Sequence, residues 1–244
     1  MKQSLFDIIE NTPLTDSVMR MRLKGDTSEI TRPGTFVNIK LDGLYLRRPI
    51  SVCNVEGDVL TIIYKVVGHG TEKMRDMTEG KLDVLTGLGN GYDTSKCEGN
   101  ALLLGGGVGV PPLYLLARRL IAEGKKVHVV LGFNTAAEVF YEDEFRALGA
   151  DVTVTTADGS HGARGFVTAA MVDGEYDYFF TCGPEPMLKA IYKAASTSGQ
   201  FSFEERMGCG FGACMGCSCK TVTGYKRICK DGPVLEKEEI LWEN

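Results

Sequence analysis

Residues 205–221 read ERMGCGFGACMGCSCKT and place four cysteines in the eleven positions from Cys209 to Cys219. Cys209, Cys214 and Cys217 follow the spacing C-x4-C-x2-C, and Cys229 comes after eleven more residues. This is the plant-type spacing that ligates a [2Fe–2S] cluster, in which four thiolates hold two irons. Gly210, Gly212 and Gly216 suit that chemistry, because they let the backbone wrap closely and turn its N–H groups toward sulfur. Structural zinc is the competing ligand chemistry, and unligated thiols are the third reading. Zinc sites usually pair two short knuckles across a spacer, whereas here three ligands fall within nine residues. Cys219 has no place in the plant-type spacing. It is a spare thiol or a competitor of Cys217.

A second stretch, LRRPISV at 46–52, combines arginine, proline and a hydroxyl residue on an expected strand. An arginine there can pair with a dinucleotide phosphate, the strand backbone can bind a flavin ring edge, and the serine hydroxyl can reach N5. Two arginines beside a proline are, taken alone, more often surface charge. IIYKVVGHGTEKM follows, a strand, a glycine turn and a helix start with Thr71 as its cap. Free N–H groups at such a helix start suit a phosphate.

In the second half, LLLGGGVGVPPLYLLA reads as strand, glycine turn and helix, where a pyrophosphate would sit. It is not the G-x-G-x-x-G fingerprint: counted from Gly105 the last position is Val110, and from Gly107 it is Pro112. YFFTCGPEPMLKAI is another strand-to-helix junction, with Cys182 and Gly183 at the strand's carboxyl end, where ligands of parallel sheets bind.

The elements that must position these residues fall into two rhythms. Up to about residue 98, runs such as SVMRMRLKG, GTFVNIKL and DVLTIIYKVV give short strands between turns, the pattern of a small β-barrel. From residue 99 strands alternate with helices: ALLLGG, KVHVVLGF, DVTVTTA and YDYFFTC with helices over 111–124, 136–149 and 184–196. That alternation means a parallel sheet, closed by FSFEERM as a last strand. Residues 207–244 hold the cysteines and short polar strands, too few apolar groups to fold alone without a metal staple. The expected units are therefore 1–98, 99–206 and 207–244.

Composition narrows the partners. A net charge of −5 argues against nucleic acid, which needs a basic face. The N-terminus carries acidic residues where an export signal needs an apolar core. The longest apolar stretch is broken by glycines and prolines, short of the about 20 residues that span a membrane. A cytoplasmic chain is expected, with its eight cysteines reduced.

In that order RRPIS, GHGT, GGGVGVPPL and CGPEPM resemble the ferredoxin–NAD(P) reductase superfamily over residues 1 to about 205. With ERMGCGFGACMGC added, the chain is similar to the electron-transfer subunits of type B dihydroorotate dehydrogenases. The resemblance implies FAD in the barrel, NAD in the α/β domain and a [2Fe–2S] cluster at the C-terminus. By position it implies that Arg48, Pro49, Ile50 and Ser51, with Ile63, Tyr64 and Lys65, line the flavin, and that Gly70 and Thr71 meet its phosphates. Gly105, Gly106, Gly107, Gly109 and Val110 would meet the nicotinamide nucleotide, with Cys182 and Gly183 near its reactive ring. Cys209, Cys214, Cys217 and Cys229 would ligate the cluster. The partner implied is an FMN-containing catalytic subunit that oxidises dihydroorotate, in a heterotetramer of two copies of each chain. Related subunits of sulfide dehydrogenase or NADH–ferredoxin oxidoreductase type are the alternative.

No general acid or base stands out among His69, His128 and His161: His128 reads as core, His161 as a solvated turn and His69 as structural. That suits an electron relay rather than a chain that oxidises dihydroorotate. Acidic residues and no arginine pair after KVHVVLGF favour NAD over NADP.

Overall fold

The computed structural model describes residues 1–172 and 174–242. Its first strands are β1 (Lys2–Pro13), β2 (Val18–Lys24), β3 (Phe36–Lys40), β4 (Arg48–Glu56), β5 (Val59–Lys65) and β6 (Lys81–Leu88). A short helix α1 (His69–Arg75) joins the last two. These strands close an antiparallel barrel in the order β1-β2-β5-β4-β3-β6. Alternation drives it: in β2, Met19, Met21 and Leu23 turn into the barrel while Arg20 and Arg22 face out to pair with Glu10.

The second half runs β7 (Asn100–Gly106), α2 (Pro111–Ala122), β8 (Lys126–Phe133), α3 (Glu142–Ala147), β9 (Asp151–Thr156) and β10 (Ala163–Arg164). It continues with β11 (Tyr178–Cys182), α4 (Glu185–Ala194) and β12 (Gly199–Ser202). The C-terminal stretch adds a hairpin of β13 (Ser218–Thr221) and β14 (Gly224–Arg227), and finally β15 (Val234–Glu236). The sheet order is β10-β9-β8-β7-β11-β12-β15, parallel except for β15. Chain order therefore reverses between β7 and β11, whose carboxyl ends lie side by side. Leu102, Leu103 and Leu104 of β7 are fully covered, as a central parallel strand requires, each contributing about 1.5–3 kcal/mol.

One apolar core joins α2, α3 and the sheet to Val18, Cys53 and Ile63 of the barrel. A second, on the α4 face, takes in Phe36 and Leu88 of the barrel with Cys217, Ile228, Cys229, Leu235 and Ile240. The C-terminal stretch is thus built into the sheet and its core, and Trp242 packs its ring 5.2 Å from Tyr192 and 5.6 Å from Phe201.

Four local expectations change. The helix expected over 136–149 is broken: residues 136–138 form one 3-10 turn, and α3 begins only at Glu142. Phe140 and Tyr141 are buried in the core between them, and Tyr141 takes a left-handed φ of 67° to get there. The strand expected over 201–207 runs instead from Gly199 to Ser202, and β15 covers its far edge. α1 starts before Thr71, which sits in its first turn and bonds back to the amides of Val67 and Gly68. His128 is half-buried rather than core, its Nε2 2.9 Å from Thr153 Oγ1. Among the described residues no helix is long and apolar enough to cross a membrane.

Candidate functional site

On the barrel, β4 and β5 pair from Glu56–Val59 as far as Val52–Ile62 and no further. Beyond that point Arg48, Pro49, Ile50 and Ser51 pair only with β3. Ile63, Tyr64 and Lys65 pair only with β2. A seam therefore opens between two strands whose facing edges are free, and all seven of these sequence-predicted residues border it. Their side chains divide. Tyr64 turns into the barrel, its hydroxyl donating to Asn11 Oδ1 at 3.1 Å, and burial pushes its pKa up to about 12. Ile63 turns toward α2, and Lys65 is exposed.

The two arginines also separate. Arg47 is committed to structure: both its Nη atoms reach Asp83 Oδ1 at 3.0 Å, and Nη1 also donates to the main-chain oxygens of Asn38 and Asp83. Arg48 lies against α1. An added Cβ on Gly70 would stand 2.1 Å from its Nε, so glycine is what lets guanidinium and first turn come together. The amides of that turn are left without helical acceptors. The Thr71 hydroxyl is taken up by its own turn, accepting from Gly68 N at 3.2 Å and donating to Gly68 O at 2.9 Å.

The sheet brings the other two junctions together. Gly105 of β7 and Cys182 of β11 are direct partners at the carboxyl edge. The turn Gly107–Gly109 rises from β7 and lies against β5. Gly107 has a φ of +52°, and a Cβ on Gly109 would fall 2.2 Å from the Cys182 carbonyl oxygen. Gly106 and Gly183 both abut Met187, while Val110 is buried beneath the turn at the start of α2. Burial, opposed by a bond to Ser202, pushes the Cys182 thiol up to about 12, so it stays neutral. Arg118 of α2 clamps the domains together by donating to Asn54 Oδ1 of β4 at 2.6 Å. At the end of β8, Glu138 Oε2 accepts from Asn134 N at 3.1 Å and Nδ2 at 2.8 Å, leaving a carboxylate beside the strand's carboxyl end.

The cysteine loop lies on the outer side of β3. Its sulfurs stand as two pairs. Cys214 bonds Cys209, whose Sγ accepts from Ala213 N at 3.2 Å and Cys214 N at 3.4 Å. Burial would raise the Cys209 thiol, but those amides and that of Phe211 bring it down to about 6. Cys217 and Cys229 form the second pair, both buried, with Cys229 N 3.4 Å from Cys217 Sγ. Burial first, and then Cys217, push Cys229 up to about 12. Two such pairs fit the donor set that a [2Fe–2S] cluster would need. Among the described residues no three His, Cys, Asp or Glu side chains are arranged round a single ion. Cys219 turns away into the α4-face core.

Sequence reasoning missed Asn38 of β3, which is buried and donates from Nδ2 to the Cys209 carbonyl oxygen at 3.2 Å. The two residues are 171 positions apart, and nothing local in GTFVNIKL marks the contact.

Fold and site define an oxidoreductase of the ferredoxin-reductase type with a C-terminal iron–sulfur loop. Residues 204–241 match the iron-sulfur cluster binding domain of dihydroorotate dehydrogenase B, and 103–193 match the oxidoreductase NAD-binding domain. The chain is 43% identical to the electron transfer subunit of dihydroorotate dehydrogenase B (NAD(+)) of Bacillus pumilus, covering 98% of each chain. It is 45% identical to the corresponding subunit of Fusobacterium nucleatum, covering 95% of each. Its fold is similar to a solved NADH-dependent reduced ferredoxin-NADP oxidoreductase, with a TM-score of 0.89, 31% identity, and 98% of this chain and 90% of that one covered. A ferredoxin NADP+ reductase from Neisseria gonorrhoeae, solved with FAD and NADP, shares the fold at a TM-score of 0.69 and 16% identity, over 80% of this chain and 90% of that one. The chain belongs to the family of dihydroorotate dehydrogenase B electron transfer subunits.

Proposed function

We propose that this chain relays electrons between NAD and a catalytic partner subunit that oxidises dihydroorotate on FMN, in a cytoplasmic heterotetramer of two copies of each chain. The observation that carries this reading is that the three sites adjoin one open seam: the Gly107–Gly109 turn lies against β5 on one side of it, and on the other β4 pairs with β3, whose Asn38 holds Cys209. When bound, FAD converts between two-electron exchange with NAD and one-electron exchange with a [2Fe–2S] cluster.

The chain's own residues bind and orient. The units are 1–98 for FAD, 99–206 for NAD and 207–244 for the cluster. Arg48 and the first turn of α1, with Gly70 and the Thr71 amide, hold the FAD phosphates as paired charge and donors. The free edges of Pro49, Ile50 and Ser51 and of Ile63, Tyr64 and Lys65 take the flavin ring, with the Ser51 hydroxyl toward its reactive nitrogen. Gly105, Gly106, Gly107, Gly109 and Val110 give the nicotinamide nucleotide a close backbone surface at the point where strand order reverses. Cys182 and Gly183 border its reactive end, a neutral thiol leaving that space uncharged. Glu138 favours a free ribose hydroxyl over a 2′-phosphate. Cys209 with Cys214, and Cys217 with Cys229, supply the four thiolates. No residue of this chain is assigned to proton removal from dihydroorotate, which belongs to the partner.

Cys214→Ser, purified with its partner, is expected to keep FAD and its reduction by NADH while dihydroorotate-dependent reduction of NAD falls to background. Equal loss of both activities in a folded, FAD-loaded variant contradicts the division of labour. The full-length likeness to the NADH-dependent ferredoxin-NADP oxidoreductase favours a second reading, a subunit serving a ferredoxin-linked partner. Ferredoxin reduction without any response to dihydroorotate in the native complex would select it.

A further inference from the structure

β3 reads FVNIK, and its asparagine is the one polar residue among four buried positions. Val37 and Ile39 fill the barrel, whereas Phe36 packs outward in the core that contains Cys217 and Cys229. Asn38 shares that outward face. Only 1% of it is exposed, its Nδ2 donates to the Cys209 carbonyl oxygen at 3.2 Å, and its Oδ1 is buried without a partner among the described residues. Its main chain pairs with Pro49 of β4, and its carbonyl accepts from Arg47, which Asp83 holds in place. Across the contact Gly210 takes a φ of +78°, and a Cβ there would stand 2.3 Å from Asn38 Nδ2. A side chain at 210 is thus excluded both by backbone conformation and by the amide.

A buried amide with one atom unsatisfied is a poor choice for stability. A leucine of the same shape would avoid leaving that oxygen desolvated and unpaired. What leucine could not do is hold Cys209. We propose that Asn38 is a positioning residue that ties the flavin-lining strand to the cluster ligand Cys209 and fixes the separation across which electrons pass between them. This rests on the reading that β4 lines FAD and that Cys209 ligates a [2Fe–2S] cluster. β4 and β3 then form one rigid ladder, and the Asn38 amide is the link from that ladder to the loop. Partners behind a metal ligand commonly change metal affinity or activity by about 10–100-fold when removed.

The test is Asn38→Leu in the complete complex, followed after mixing with NADH by stopped-flow absorbance and by electron paramagnetic resonance. Flavin reduction by NADH is expected to be unchanged, cluster reduction to slow by about 10–100-fold, and the g-values of the reduced cluster to shift. The thermal midpoint is expected not to fall, which separates positioning from a structural role. Unchanged cluster reduction with an unchanged resonance spectrum would overturn the proposal, as would equal slowing of both steps. Should the leucine variant lose its cluster, Asn38→Ser, too short to span the contact, carries the same readouts. A wild-type complex with no iron–sulfur resonance or no NADH-reducible flavin would instead overturn the functional reading beneath it.

Discussion

Gly70 offers a perturbation whose two consequences have opposite signs. A Cβ at this position would lie 2.1 Å from Arg48 Nε and 2.7 Å from its Cζ and Nη2. The obstacle is the end of a long flexible side chain, so Gly70→Ala displaces the guanidinium and leaves the backbone where it is. Alanine also favours the helix over glycine by about 0.8–1 kcal/mol. The apoprotein should therefore be as stable as wild type or slightly more so. If the guanidinium holds an FAD phosphate, losing that charge-assisted bond costs about 1.5–3 kcal/mol, which is about 10- to 150-fold in affinity. The assay is titration of apoprotein with FAD by flavin fluorescence, alongside thermal unfolding of the same preparation. Weaker FAD binding at undiminished apoprotein stability is the expected result. A variant of unchanged stability that binds FAD as tightly as wild type would refute the placement of Arg48 at a phosphate.

Gly109→Ala should behave differently, because its Cβ would meet the Cys182 carbonyl oxygen at 2.2 Å and main chain cannot swing aside. Loss of NADH-dependent flavin reduction is expected with FAD retained, together with destabilisation above about 2 kcal/mol, both read from one purified sample by absorbance and thermal unfolding. Glu10 bonds Arg20, which holds its carboxyl below the ordinary 4.5 against the opposing effect of burial. A depressed carboxylate contributes its stability above the unfolded pKa and loses it as pH falls through the folded value. Glu10→Gln should accordingly be less stable than wild type by about 0.5–1 kcal/mol at neutral pH, with the gap closing below about pH 4; denaturant unfolding across that range checks it, and a constant gap would contradict it.

Signals local in sequence were the legible ones. The cysteine spacing is contained in twenty-one residues, and its two-pair arrangement follows from the loop and one hairpin return. The βα alternation after residue 100 was plain because β7 and β8 are buried runs bounded by glycine and proline. RRPIS was ambiguous for a physical reason: its two arginines are equivalent in the sequence, and only the fold assigns Arg47 to Asp83 and Arg48 to α1. The helix over 136–149 failed because the side chains of Phe140 and Tyr141 gain more from the core than three residues gain from helical bonds. β1 was hard to mark, since its acidic and amide positions blur the alternation that barrel closure against β6 restores. The pairing of β15 and the role of Asn38 lay out of reach for a common reason. Each acts through a contact with residues far away in the chain, β15 on β12 and Asn38 on Cys209.

The central claim is that this chain carries electrons from a dihydroorotate-oxidising partner to NAD. The measurement that tests it most directly is dihydroorotate-dependent reduction of NAD by the native complex under low oxygen, with and without this subunit. NADH formation is expected to disappear when this chain is removed and to return when it is added back. A complex that retains FAD and iron–sulfur yet forms no NADH from dihydroorotate would contradict it.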